Sequence, residues 1–203
     1  MSYKYGILKS AVNTGLDSEL QCAFSTPLSV ISNQPSYVQD MMSLKRKTNS
    51  QNVQRWEIEA NLEPTNDSAN HLVHSVVNGH NTPISVRMPQ VYGISSTAHL
   101  PSQVVGTVNQ GSDTLVLAGG LPIVGEFIQF TGDTKVYLTI ESSVDTIRVL
   151  PQLRQTVPDT TLLIKGANVT LRAYYDATVR LGITYIDGVL SDPGSVTLIE
   201  ALS

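Results

Sequence analysis

Two histidines about one helical turn apart beside a carboxylate are the most chemically suggestive group in this chain. Asp67, His71 and His74 fall at i, i+4 and i+7 of a segment that reads as a helix, with His80 just beyond it. Imidazole nitrogens and a carboxylate oxygen suit zinc or another divalent ion. Spacing supplies no fourth ligand, and Asp67 is equally placed to cap the helix, so the group reads better as a polar helix face. Cys22 is the sole cysteine. A catalytic thiol needs a histidine and an orienting Asn or Asp beside it, whereas Leu20-Gln-Cys-Ala-Phe24 is the apolar setting of a structural thiol. Glu57, Glu59 and Glu63 alternate along one strand. Paired carboxylates serve glycoside cleavage, but on the outward face of a strand they suit a charged lining or a guarded edge. Tyr174, Tyr175 and Tyr185 near Arg172 and Arg180 could build a stacking platform for a sugar or nucleotide. Tyrosine and arginine are also what protein interfaces prefer. We therefore expect Glu57, Glu59, Arg172, Tyr174 and Arg180 to serve subunit contacts. No nucleophile-elbow, zincin, phosphate-loop or dinucleotide-binding glycine pattern occurs. The expectation is a protein that is not an enzyme and needs no cofactor.

Composition bounds the scaffold that must hold these groups. The chain has 203 residues, 41% of them hydrophobic, enough for one larger domain or two small ones. Only 15% are charged, and the formal net charge of −4 argues against a dedicated DNA binder. One cysteine excludes an intrachain disulfide and a four-cysteine zinc site. MSYKYGILKS lacks a basic segment leading into an apolar core, so no signal peptide is expected, and no apolar run reaches membrane-spanning length.

Along the chain, residues before 52 read as short strands and an arm, with Ser25-Thr26-Pro27 among the turn signals that separate the strands and Lys45-Arg46-Lys47 opening a polar loop. Arg55–Leu62 alternates strictly, with Trp56, Ile58, Ala60 and Leu62 on one face. Ala69, Leu72, Val73, Val76 and Val77 form a single apolar stripe, predicting a helix over 68–78 closed by Gly79. Ile84, Val86 and Met88 mark the next strand. From Val105 to about Gly166, short strands punctuated by Gly, Pro, Asp and Ser predict a small closed or half-closed barrel. Longer strands return after Gly166. The expected fold is mainly β: an antiparallel body, residues 1–104 and 167–203, with one packed helix, and an inserted small β-barrel over 105–166.

Within the insertion, Gly125-Glu-Phe-Ile-Gln-Phe-Thr-Gly-Asp-Thr-Lys-Val-Tyr137 reads as a hairpin turning at Thr131-Gly-Asp133. Phe127, Ile128, Phe130, Val136 and Leu138 are the expected barrel core. Asp133 and Lys135 are expected only to pair across that turn, a contact that contributes little if it is exposed.

Gln54-Arg-Trp-Glu-Ile-Glu-Ala-Asn-Leu-Glu-Pro64, the amphipathic segment, Gly79 and a strand ending in Met88-Pro89 resemble bacteriophage tail proteins of the tail-tube-like and distal-tail kind. Gly125-Glu-Phe-Ile-Gln-Phe130, Lys135-Val-Tyr137 and Leu150-Pro-Gln-Leu-Arg154 look like a small domain inserted in some of them, with Glu126 replacing Asp and Gln152 replacing Pro of that pattern. The resemblance implies a tail-tube-like β-sandwich in the tube end, distal tail or baseplate hub. It implies a ring, six-fold, contacting other tail proteins, with DNA only as passing cargo and no membrane partner. The place would be the virion tail, assembled in the host cytoplasm. The alternative is a module that recognises a carbohydrate or cell-surface component through the inserted domain.

Overall fold

Period-two alternation writes most of this structure, because most strands bury one face and leave the other wetter. The computed structural model describes residues 8–9, 21–22, 24–40, 46–50, 53–62, 83–89, 100–176, 178, 184–192 and 195–202. The helix expected over 68–78 lies outside the described residues; among those described, the only helical element is a 3-10 turn at Gly166–Asn168.

The first seven strands are β1 (Leu8–Lys9), β2 (Gln21–Cys22), β3 (Phe24–Asn33), β4 (Ser36–Asp40), β5 (Arg46–Ser50), β6 (Arg55–Leu62) and β7 (Ile84–Arg87). The next six are β8 (Ser102–Val104), β9 (Thr114–Gly119), β10 (Phe127–Phe130), β11 (Tyr137–Ser143), β12 (Thr146–Leu150) and β13 (Leu163–Lys165). Last come β14 (Thr170–Tyr175), β15 (Thr184–Ile186), β16 (Val189–Asp192) and β17 (Ser195–Glu200). Two corrections follow for the first fifty residues. Arg46–Ser50, expected in a solvated loop, is strand β5, paired with β4 from Ser36↔Ser50 to Asp40↔Arg46. Pro27, which resembled a break, lies within the ten-residue β3. It sits where the pairing with β6 shifts register between Ser25 and Ser29, at a sheet edge that tolerates a missing N–H.

A seven-stranded antiparallel sheet runs β2-β1-β7-β14-β17-β6-β3. Its last strand in sequence, β17, is inserted between β14 and β6. Trp56, Ile58, Ala60, Ile84, Val86, Leu171, Ala173, Val196 and Leu198 fill one face of this body sheet.

The second sheet has six strands, β13-β10-β11-β12-β9-β8, and curls into a nearly closed barrel. A bridge between Gln103 and Leu162 joins its end strands, and Val104 N–H donates to Thr161 O at 2.9 Å. Its interior holds Leu115, Leu117, Ile128, Phe130, Tyr137, Ile147, Val149, Leu153 and Val157.

Every side chain of β10 is buried, Phe127 through Phe130. The expected barrel core is corrected on this point. Ile128 and Phe130 do face the barrel interior, but Phe127, Val136 and Leu138 face outward and pack into the body core with Ile164. Phe127 meets Trp56 edge-on, ring centroids 5.3 Å apart, a favourable aromatic geometry. A strand carries two apolar faces when its sheet has a core on each side.

Replacing the fully buried Leu198 by Ala should cost about 2–5 kcal/mol through lost transfer energy and a cavity. Val144→Ala at a 96% exposed position should stay within about 0.5 kcal/mol. Urea unfolding of both variants checks the contrast.

Candidate functional site

Strand alternation decides which expected contact residues share a surface. Glu57 and Glu59 lie opposite Trp56 and Ile58 on β6, and Arg172 and Tyr174 lie opposite Leu171 and Ala173 on β14. All four therefore occupy the outer face of the body sheet. The register Ile31↔Glu57↔Ile199↔Tyr174 crosses β3, β6, β17 and β14 in a single row. Glu57 accepts from Asn33 Nδ2 at 2.8 Å and Arg55 Nε at 2.9 Å, while Glu59 is exposed between Ser29 and Thr197. Ile31 stays 38% exposed on edge strand β3.

Two members of the possible tyrosine platform do not share a face. Tyr174 and Tyr175 are adjacent on a strand and so face opposite ways, and Tyr175 is buried in the body core. Arg180, Glu63, Asp67, His71, His74 and His80 lie outside the described residues, as does the side chain of Cys22. No cluster of three His, Cys, Asp or Glu suited to a metal occurs among the described residues.

Beneath this surface lies a charged site that local sequence did not reveal. Lys135 is 1% exposed and Glu200 5%. Lys135 Nζ donates to a Glu200 carboxylate oxygen, to Gln54 O at 2.9 Å and to Gln54 Oε1 at 2.8 Å. Three ammonium hydrogens thus meet three acceptors. Glu200 also accepts from Trp56 N–H at 2.9 Å and Val136 N–H at 3.3 Å. Trp56 Nε1–H completes the seam by donating to Val136 O at 2.7 Å. Burial pushes the Lys135 ammonium below the ordinary lysine value, against the pull of the Glu200 carboxylate.

Asp133 is buried as well and makes different contacts. It accepts from Lys135 N–H at 3.0 Å, Tyr137 OH at 2.8 Å and Arg154 Nη2 at 3.2 Å. The expected Asp133–Lys135 pair is thereby corrected: both side chains are buried, and each charge finds its counter-ion elsewhere. Burial raises the Tyr137 phenol well above its ordinary value, helped by the Asp133 carboxylate.

A second buried lysine invites a nucleophilic reading. Lys165 Nζ lies 2.7 Å from Ser102 Oγ, the pairing used in serine–lysine hydrolases, and burial lowers its pKa against the pull of Glu126. The hydrogen bonds oppose that chemistry. Lys165 also donates to Leu100 O at 3.0 Å and Gly120 O at 2.6 Å, while Ser102 Oγ donates to Gly120 O. A lysine facing three acceptors is a charged donor and cannot take the serine proton.

Comparison with known proteins adds no identity. No family model matches this chain, and neither does any curated protein. Its reading rests on the geometry.

Among the described residues, that geometry also shows which strands lack a second neighbour. Strand β3 stands at the edge of the body sheet, and the hairpins β4–β5 and β15–β16 each form a two-stranded sheet of their own. On the barrel, Val105, Val116 and Leu162 are between 40% and 53% exposed, a surface of aliphatic side chains close to Gln103 and Thr146 in register. A cleft of about 200 Å³ between the sheets is lined by Gln34, Gln54, Asp113, Arg148 and Gln152 over Val53 and Pro151. Arg148 there binds Asp113 at 2.9 Å and Glu141 at 3.0 Å. Its hydrogen bond holds the Asp113 carboxyl below the ordinary value.

Lys135→Met should destabilise the chain by about 3–5 kcal/mol, because it strands a buried carboxylate; denaturant unfolding at neutral pH reads this out. Tyr137 gives a pH test. Its folded pKa is raised, so its contribution is complete below the ordinary phenol value of 10.0 and is lost as pH climbs through the folded value. In an ultraviolet titration, at least one of the eight tyrosines should stay silent until alkaline unfolding. Eight ordinary titrations would contradict this.

Proposed function

We propose that this chain is a structural, non-catalytic subunit of a bacteriophage tail, at the tube end, in the distal tail or in the baseplate hub. In this reading it closes into a six-fold ring and contacts neighbouring tail proteins. Residues 1–104 and 167–203 form a tail-tube-like sandwich completed by the helix over 68–78, and residues 105–166 are its inserted domain. The carrying observation is the set of β elements that, among the described residues, lie at a sheet edge or in two-stranded sheets. A ten-residue edge strand is a ready template for another chain. A two-stranded hairpin is marginal by itself in water, and this chain has two that join no larger sheet among the described residues. A head-to-tail ring satisfies edge and hairpin together in every copy, by strand addition between neighbours. Glu57 and Glu59 on the outer face then suit a bore through which DNA passes without adhering.

The cleft beside Arg148 is the observation favouring the alternative, a carbohydrate or cell-surface binding module. Its amides, its ion pair and its apolar floor are the groups that hold a hydroxyl-rich ligand.

Sedimentation velocity separates the two. A ring subunit should sediment as one closed hexamer. Ile31→Glu, placed beside Glu57, should weaken association at least about tenfold with unchanged far-ultraviolet dichroism. A monomer at every concentration that binds a glycan, with binding lost on Gln152→Ala, would replace the ring by the module.

A further inference from the structure

The two cores depend on each other unequally. Among the described residues, the barrel interior is built only from residues between Val104 and Leu163. The body core is not self-contained, because it recruits Phe127, Val136, Leu138 and Ile164 from the barrel. The same asymmetry holds for charge. Glu200 ends β17, and among the described residues its cationic partner is Lys135 of the barrel. Trp56 of the body likewise gives its indole N–H to barrel Val136 O.

We infer that the barrel is a one-way folding gate: it reaches its native core without the body, whereas the body sheet closes only on a folded barrel that presents Lys135. The order of the chain supports this. The barrel strands run from Ser102 to Lys165, before β14 and β17, and β17 is the strand that joins β14 to β6. Any closure over Glu200 that did not bring Lys135 to it would take the carboxylate out of water with no counter-ion, a heavily penalised state. Once Phe127 and Val136 are set beside Trp56, the carboxylate meets Lys135 Nζ and two backbone N–H groups together. The charges and polar groups facing Lys135 are Glu200, Asp133, Arg154 and Gln54. Of these only Glu200 and Gln54 belong to the body. Strand β3, an edge of the body sheet among the described residues, is therefore organised for other chains only after the barrel has folded. The gate is independent of what those chains are.

Native-state hydrogen exchange on the full chain in graded denaturant tests the direction. Amides of β9 to β12 should exchange only through global unfolding. Those of β6, β14 and β17 should open earlier, with protection at least about tenfold lower. In Lys135→Met, which destabilises the native state, both sets should lose the same factor, at least about one hundred, and the gap between barrel and body protection should stay within about threefold of the wild-type gap. Equal protection of both sets, or greater protection of the body, overturns the gate; so does a Lys135→Met profile in which the gap between the two sets closes. If that variant does not accumulate in folded form, the wild-type profile decides alone.

Discussion

A lysine and a glutamate taken wholly out of water set the terms for this molecule. Removing two charges from solvent costs several kcal/mol for each ion even after relaxation, and attraction offsets that only when the remaining hydrogen-bonding capacity is filled. Here it is filled: Lys135 meets three acceptors and Glu200 meets an ammonium and two N–H groups. A pair so placed is weak as a source of net stability and strong as a source of specificity. A shifted docking of barrel on body would leave at least one charge dry and alone. Aromatic and aliphatic contacts at the seam tolerate small displacements, but the ionic node does not. It fixes how the barrel sits relative to the outer face that carries Glu57 and Tyr174.

Legibility from sequence followed the physics of each strand. Arg55–Leu62 was plain because one face is wet and the other dry, so the letters alternate. The short barrel strands were visible through their punctuation, although Ser102–Val104 also joins that sheet. Strand β5 hid because Arg46–Ser50 carries no apolar alternation, and its pairing with β4 is a backbone matter. Strand β3 hid behind Pro27, which interrupts a central strand but not a bulged edge. The outward turn of Phe127 and Val136 could not be read at all: an apolar residue looks the same whichever core it enters.

The candidate site divides along the same line. Glu57, Glu59, Arg172 and Tyr174, expected as contact residues, share one face of the body sheet through strand alternation and register, whereas Tyr175 could have been removed from the platform by alternation alone. Lys135 and Glu200 stand 65 residues apart. Each looks locally like an ordinary solvated charge, in a turn and at a strand end. Only the tertiary arrangement turns them into partners, so no motif search would join them.

Trp56 is the only tryptophan in the chain. Its indole is wedged against Phe127 with its N–H committed to Val136, so the molecule carries an optical probe at the seam between body and barrel. Emission from that ring reports on the dryness of this junction and on no other part of the protein.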